Sequence, residues 1–235
     1  MTMDDKPIAK EAIEWVKRHR KELFENTVQR SGYLKANYED TPAASFMAGT
    51  PGAGKTEVSK RFANQFTVRP LRIDADEFRE DIPGYSGTNS HVVQEAATLS
   101  VQKVLDQAFQ CGYSFILDGT FAYKNAVMNL KRAHRQGYTL QVFFVYQEPA
   151  VAWRFTKIRE EKEGRHVPKD VFIRSYIESR QNVMKAKAEF GEVLNLVLIK
   201  KNYETNIEQI DIVEDNLEKY LGKMYNEEEL NELLQ

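Results

Sequence analysis

Apolar and polar positions follow two different rhythms along this chain. From Ile8 to Val28 the apolar residues Ala9, Ala12, Ile13, Val16, Leu23 and Val28 recur close to the 3.6-residue period of an amphipathic helix, which predicts one long helix ahead of the main domain. After Pro42 the pattern changes to short apolar runs separated by helical stretches, as expected when parallel strands are buried beneath crossover helices. The runs 43–48, 69–74, 113–118, 139–146 and 194–200 read as strands. Helical patterns lie between them at about 54–66, 91–111, 124–136, 150–162 and 168–189, with Pro149 and Pro168 marking the starts of the last two. From Thr205 to Gln235 the residues Ile207, Ile210, Val213, Leu217, Tyr220 and Leu221 predict one or two further helices. The expected architecture is a three-layer α/β domain over 41–235, with a five-stranded, mostly parallel sheet flanked by helices and a helical tail. Residues 1–40 are expected to form a helical extension packed on it.

Composition narrows the function classes. A chain of 235 residues that is 42% hydrophobic and 29% charged is neither disordered nor collagen-like. Its 33 Lys and Arg against 35 Asp and Glu leave a net charge of −2, so no chain-wide basic field exists to hold a nucleic-acid backbone, and none is expected as a partner. The basic run Lys17 to Lys21 is interleaved at helical spacing with Glu11, Glu14, Glu22 and Glu25, which reads as a solvated helix face. Cys111 stands alone, excluding an internal disulfide, and four scattered histidines lack zinc-ligand spacing. The first thirty residues carry no apolar leader core, and no run approaches the roughly 18 apolar residues of a membrane span. The expectation is a cytoplasmic protein without membrane contact.

The chemistry begins at Gly49-Thr50-Pro51-Gly52-Ala53-Gly54-Lys55-Thr56, a complete Walker A octet between an apolar run and a helical pattern. Its glycines let backbone N–H groups turn around phosphate, and the following helix adds its positive N-terminal dipole. Lys55 is placed to reach the terminal phosphates, and the Thr56 hydroxyl to ligate Mg²⁺, so ATP and Mg²⁺ are the expected cofactors. The Asn-Lys-x-Asp motif of GTPases and the LSGGQ-like signature of transporter ATPases are both missing, which leaves small-molecule kinases. Such a kinase needs a carboxylate near the P-loop to accept the proton of the attacking hydroxyl. Asp74 and Asp76 supply one where the second strand ends, with helix capping as the competing role. Asp118 ends the third strand, either as a carboxylate for a magnesium-bound water or as a hydrogen-bonding partner of the acceptor. Arg154, Arg159 and Arg165 surround the helix break Glu163 to Pro168, where a lid could neutralise the transferred phosphoryl group.

Taken together, the octet, D-x-D-x-F-R at Asp74 to Arg79, an acid followed by Gly-Thr at 118–120, and R-x-x-P at Arg165 to Pro168 resemble the zeta toxin family of bacterial kinases over roughly residues 40–200. The resemblance implies a P-loop kinase fold and ATP-dependent phosphorylation of a sugar hydroxyl on UDP-N-acetylglucosamine or a related nucleotide sugar, in a toxin held in check by an antitoxin protein. It makes Asp76 the catalytic base, Lys55, Arg159 and Arg165 the phosphoryl-stabilising cations, and Gln102, Asp118 and Thr120 acceptor-binding residues. Two positions depart from the pattern: Gln102 stands where relatives carry glutamate, and Ala122 where some carry arginine. Two other readings stay open. One is a kinase of another metabolite, such as a nucleotide, a dinucleotide cofactor or an antibiotic. The other is a non-catalytic nucleotide-binding regulatory module.

Overall fold

The computed structural model describes residues 5–33, 41–65, 69–203 and 207–234. Five predicted strands form, as β1 (Ala43–Ala48), β2 (Leu71–Asp74), β3 (Phe115–Asp118), β4 (Thr139–Tyr146) and β5 (Leu194–Asn202). The crossover helices are α3 (Lys55–Ala63), α5 (Gln94–Cys111), α6 (Ala126–Arg135), α7 (Pro149–Glu163) and α8 (Lys169–Phe190). The described strands pair in the order β2, β3, β1, β4, β5, with all of these neighbours parallel. Parallel strands of this length must bury both faces, which is why they read as nearly unbroken apolar runs.

Three expectations change. The long N-terminal helix is two, α1 (Asp5–Arg18) and α2 (Arg20–Ser31), separated at His19. There the imidazole Nδ1 approaches the Trp15 carbonyl at 2.8 Å, alongside the backbone N–H at 2.9 Å, and the ring stacks on Trp15 with centroids 4.5 Å apart. That crowding displaces His19 to φ −104, ψ 19. A short helix, α4 (Ala75–Asp81), intervenes directly after β2; at seven residues it is too short to print a period. The tail is not wholly helical, because Ile207–Ile212 forms a sixth strand, β6, antiparallel to β5. Ile210 and Ile212 are 55% and 73% exposed, so their spacing reflects a ladder along an otherwise unpaired sheet edge, not a helix face buried in the core. A single 3₁₀ turn at Leu217–Lys219 follows, then α9 (Glu227–Leu233), opened by a capping box between Asn226 and Glu229. Residues 1–4 and 34–40 of the expected extension, Phe66 at the end of an expected helix, and 205–206 and Gln235 of the tail lie outside the described residues.

Ala12, Val16 and Leu23 of the two leading helices join the same buried cluster as Phe46 of β1 and Phe115 of β3. Phe46 and Phe109 each meet the Phe115 ring edge-on, with centroids 5.7 and 5.2 Å apart. This packing sets the height of β1, β2 and β3 relative to one another, so their carboxyl ends finish along one edge. No described helix is long and apolar enough to cross a membrane.

Candidate active site

At that edge, β1 runs into the glycine-rich loop. Gly49 has φ +129, and a Cβ there would lie 2.2 Å from the Val145 carbonyl oxygen of β4, so only glycine lets the loop leave the strand. Its N–H donates to Ser179 Oγ on α8 at 2.8 Å and to the Thr120 carbonyl at 3.2 Å. Gly54, in the left-handed conformation, opens α3, and its bare Cα is covered by Lys201 of β5 and by Tyr203 just after that strand. Lys55 donates to the Thr50 carbonyl at 2.6 Å. Burial pushes its ammonium down to about 8, with the Asp118 charge opposing and the Arg165 charge adding to the effect. Thr56 is the second residue of α3, and Ser59 donates back to its carbonyl at 3.1 Å.

The next two strands bring acids level with one another, since Asp74 and Asp118 are register partners in β2 and β3. Arg72, only 7% exposed, lies among Asp74, Glu77 and Asp118 and donates its Nε to Ser59 at 3.1 Å. Asp74 also caps α4, its Oδ1 accepting the Asp76 N–H at 2.9 Å. Burial first, then the charges of Asp118 and Asp76, push Asp74 up to about 6. Asp118 accepts through Oδ2 from both Ser59 and Arg72, each at 2.7 Å. The capping alternative therefore falls to Asp74, leaving Asp76 directed elsewhere.

Asp76 faces guanidinium groups through both oxygens. Its Oδ1 pairs with Arg79, one helical turn on, and its Oδ2 with Arg165 from the loop between α7 and α8. Arg159 of α7 lies 3.8 Å from Oδ2 and is held by Glu163 at 2.9 Å. Burial disfavours its charge, but Arg165, Arg79 and Arg159 outweigh burial and hold the carboxyl below the usual carboxylate range. Both expected lid arginines thus converge on the expected base, and both act electrostatically on Lys55, as does Asp76.

The acceptor residues divide. Thr120 sits beside the loop, its carbonyl bonded to Gly49 and its hydroxyl accepting from the Ala122 N–H at 3.3 Å. Phe121 follows at φ 59, the one non-glycine residue with positive φ among the described residues, its carbonyl bonded by Asn182 at 2.9 Å. Gln102 is exposed on α5, about 12 Å along the helix from Gln94, and takes no part in the polar contacts of the cluster. The residue of α5 that reaches the site is Gln94, which accepts from Arg79. Arg72, Arg79, Gln94, Ser59 and Ser179 were not anticipated. Arg72 had a signal, a charged residue inside an apolar run, and Arg79 ends the D-x-D-x-F-R motif; the others had none.

The zeta toxin family model matches residues 29–212. No curated protein matches the sequence. Among solved structures, that of the PezAT chromosomal toxin-antitoxin system of Streptococcus pneumoniae is similar at a TM-score of 0.62 and 18% identity, over 95% of this chain and 91% of that one. The AvrRxo1-ORF1:-ORF2 structure with ATP gives a TM-score of 0.65 at 12% identity, over 87% and 66% of the two chains. A putative kinase from Chloroflexus aurantiacus gives 0.50 at 18% identity, over 71% and 89%. At these identities the likeness establishes a common fold.

Proposed function

Because the chain belongs to the zeta toxin family, we propose that it is an ATP- and Mg²⁺-dependent small-molecule kinase that phosphorylates a sugar hydroxyl of UDP-N-acetylglucosamine or a related nucleotide sugar. The observation that carries this reading is the meeting of Asp76 with Arg159 and Arg165 beside a complete phosphate loop. A site that only sensed nucleotide would need no carboxylate facing the cations of phosphoryl transfer.

In this mechanism the backbone N–H groups of Gly52 to Lys55 cradle the phosphates, and the Lys55 ammonium neutralises charge on the terminal groups. Asp76 accepts the proton of the acceptor hydroxyl as that oxygen forms its bond to the γ-phosphorus and the bond to the β-bridging oxygen breaks. Arg165 and Arg159 stabilise the charge on the migrating group. The described residues contain no cluster of three or more His, Cys, Asp or Glu suited to a metal. The oxygens of Thr56 and Asp118, both residues linked to Ser59, are a donor set that fits Mg²⁺, which usually takes one or two protein oxygens besides phosphate and water. Thr56 would hold it, with Asp118 beyond, and the ion would supply charge neutralisation between phosphates.

The identity of the acceptor is where a second reading has support. Asp118 already serves Ser59 and Arg72 through one oxygen, and Gln102 lies outside the cluster. Both features favour acceptor contacts unlike those of a glutamate-bearing relative, and hence a kinase of another nucleotide-linked metabolite. An antitoxin partner enters the proposal from the family and from the toxin-antitoxin system named above. Incubation of the purified chain with labelled ATP, Mg²⁺ and a panel of nucleotide sugars and dinucleotides tests both readings. Transfer to an aminosugar nucleotide, lowered about 10²–10⁴-fold by Asp76→Asn, is the expected result. Transfer only to a dinucleotide would replace the acceptor, and full activity of Asp76→Asn would remove the mechanism.

A further inference from the structure

The two oxygens of Asp76 are used by different parts of the protein. Oδ2 faces Arg165 and Arg159, which belong to α7 and the loop after it, whereas Oδ1 is held from within the scaffold by Arg79. Arg79 is only 5% exposed, lies one turn from Asp76 on α4, and donates its second terminal nitrogen to Gln94 at the start of α5. Its Nε is buried without a hydrogen-bond partner among the described residues. Burying a guanidinium carries a desolvation penalty that pairing repays only when the geometry is very good, and an apolar side chain of similar size would fill the same space without it. The position therefore spends stability on a charge whose partner is the base.

Resting on the reading of Asp76 as base, we infer that Arg79, steadied by Gln94, is a positioning residue that fixes the Asp76 carboxylate so that Oδ2 receives the acceptor proton. Two mechanisms act together. A charge-assisted bond to Oδ1 selects one rotamer and prevents the carboxylate from turning, so one oxygen lies on the phosphate side. The same bond opposes protonation against the neighbouring acid Asp74, while Lys55, Arg159 and Arg165 act in the same sense as Arg79. The side chain of Gln94 supplies the only other polar contact given to the Arg79 terminal nitrogens among the described residues, which makes it the reach by which α5 controls the base.

The test uses Arg79→Gln, Arg79→Lys, Gln94→Ala and Asp76→Asn in the full chain, with labelled ATP and UDP-N-acetylglucosamine, and hydrolysis to water recorded in parallel. Arg79→Gln should lower kcat about 10–100-fold, leave KM for ATP within about twofold, and move the acid limb of kcat to higher pH. Lysine, which keeps the charge without the fork, should restore part of kcat and most of the limb. Gln94→Ala removes an exposed side chain, so it should fold, and should lower kcat about 3–10-fold with a smaller displacement of the limb. If Arg79→Gln does not fold, Gln94→Ala alone decides. Wild-type kcat and an unmoved acid limb in a folded Arg79→Gln, or in Gln94→Ala when it decides alone, would overturn the inference while Asp76→Asn remains inactive. Full activity of Asp76→Asn would instead overturn the base assignment beneath it.

Discussion

The buried acids around Arg72 make a prediction that runs against the usual effect of removing an ion-pair partner. One guanidinium meets three carboxylates, those of Asp74, Glu77 and Asp118, and Asp74 is driven up to about 6 from 3.8 by burial and by the charges of Asp118 and Asp76. A folded value above the unfolded one means that the native state binds this proton more tightly. The associated stability is full below pH 3.8 and is lost as pH rises through about 6. At 1.36 kcal/mol per tenfold change in proton affinity, ionising Asp74 costs the fold about 3 kcal/mol above that range. Asp74→Asn resembles the protonated acid, and asparagine caps a helix as well as aspartate does, so the bond to the Asp76 N–H survives. The variant should therefore match wild type only below pH 3.8, lead by about half the full gap near pH 5, and exceed it above pH 7 by roughly 6–12 °C in Tm, taking about 2–4 °C per kcal/mol for a chain of this size. Thermal melts of both proteins at pH 4, 5, 6 and 8 and constant ionic strength measure the gap. A variant that melts below wild type at pH 8, or a gap that does not widen with pH, would show that the Arg72 pair outweighs the crowding of acids and refute the reasoning.

Further expectations follow from single contacts. Lys55→Ala should abolish phosphoryl transfer with little change in Tm, because among the described residues the ammonium bonds only to a loop carbonyl; in wild type, kcat/KM for ATP should fall as pH rises through about 8, where the free lysine loses its charge, and Lys55→Arg should lack that limb. Gly49→Ala forces a Cβ to within 2.2 Å of the Val145 carbonyl oxygen and should cost about 1–3 kcal/mol in chemical denaturation together with nucleotide binding measured by calorimetry. Gln102→Glu, on the exposed side of α5, should change kcat/KM by less than about twofold and equally for every acceptor, whereas a selective shift would bring Gln102 back into the acceptor site.

What the sequence made legible follows from how each feature is encoded. The strands at 43–48 and 139–146 are buried on both faces and appear as continuous apolar runs, so they were found at their observed bounds. The octet was equally plain, because phosphate binding needs particular residue types at fixed spacing. Residues 207–212 were misread because three isoleucines at mixed spacing fit either period, and only the unpaired edge of β5 decides between them. In the site, Lys55, Asp76, Arg159 and Arg165 were reached through motif and likeness, and the fold brings all four together. Arg79 stood in the motif but was given no role, and Gln94 was not reached, because a hydrogen bond between residues fifteen apart on separate helices leaves no periodic trace. Gln102 was placed by counting along a helix, and a count cannot say which way a side chain faces.

The strand order has a consequence in time. β1 is complete at Ala48, yet its two neighbours are β3 and β4, and Ala48 pairs in register with Phe144. The Gly49 N–H then waits for Ser179, which lies 130 residues further along. At bacterial and eukaryotic elongation rates of about 5–20 residues per second, that segment takes roughly 7–26 seconds to emerge. During the first part of this interval the nascent chain carries every residue of the phosphate loop without β3 or β4 beside it, and throughout the interval it lacks the helix that fastens the loop. A fragment released before α8 is made has the motif and lacks the clamp, so the loop is fastened only once Ser179 has been made.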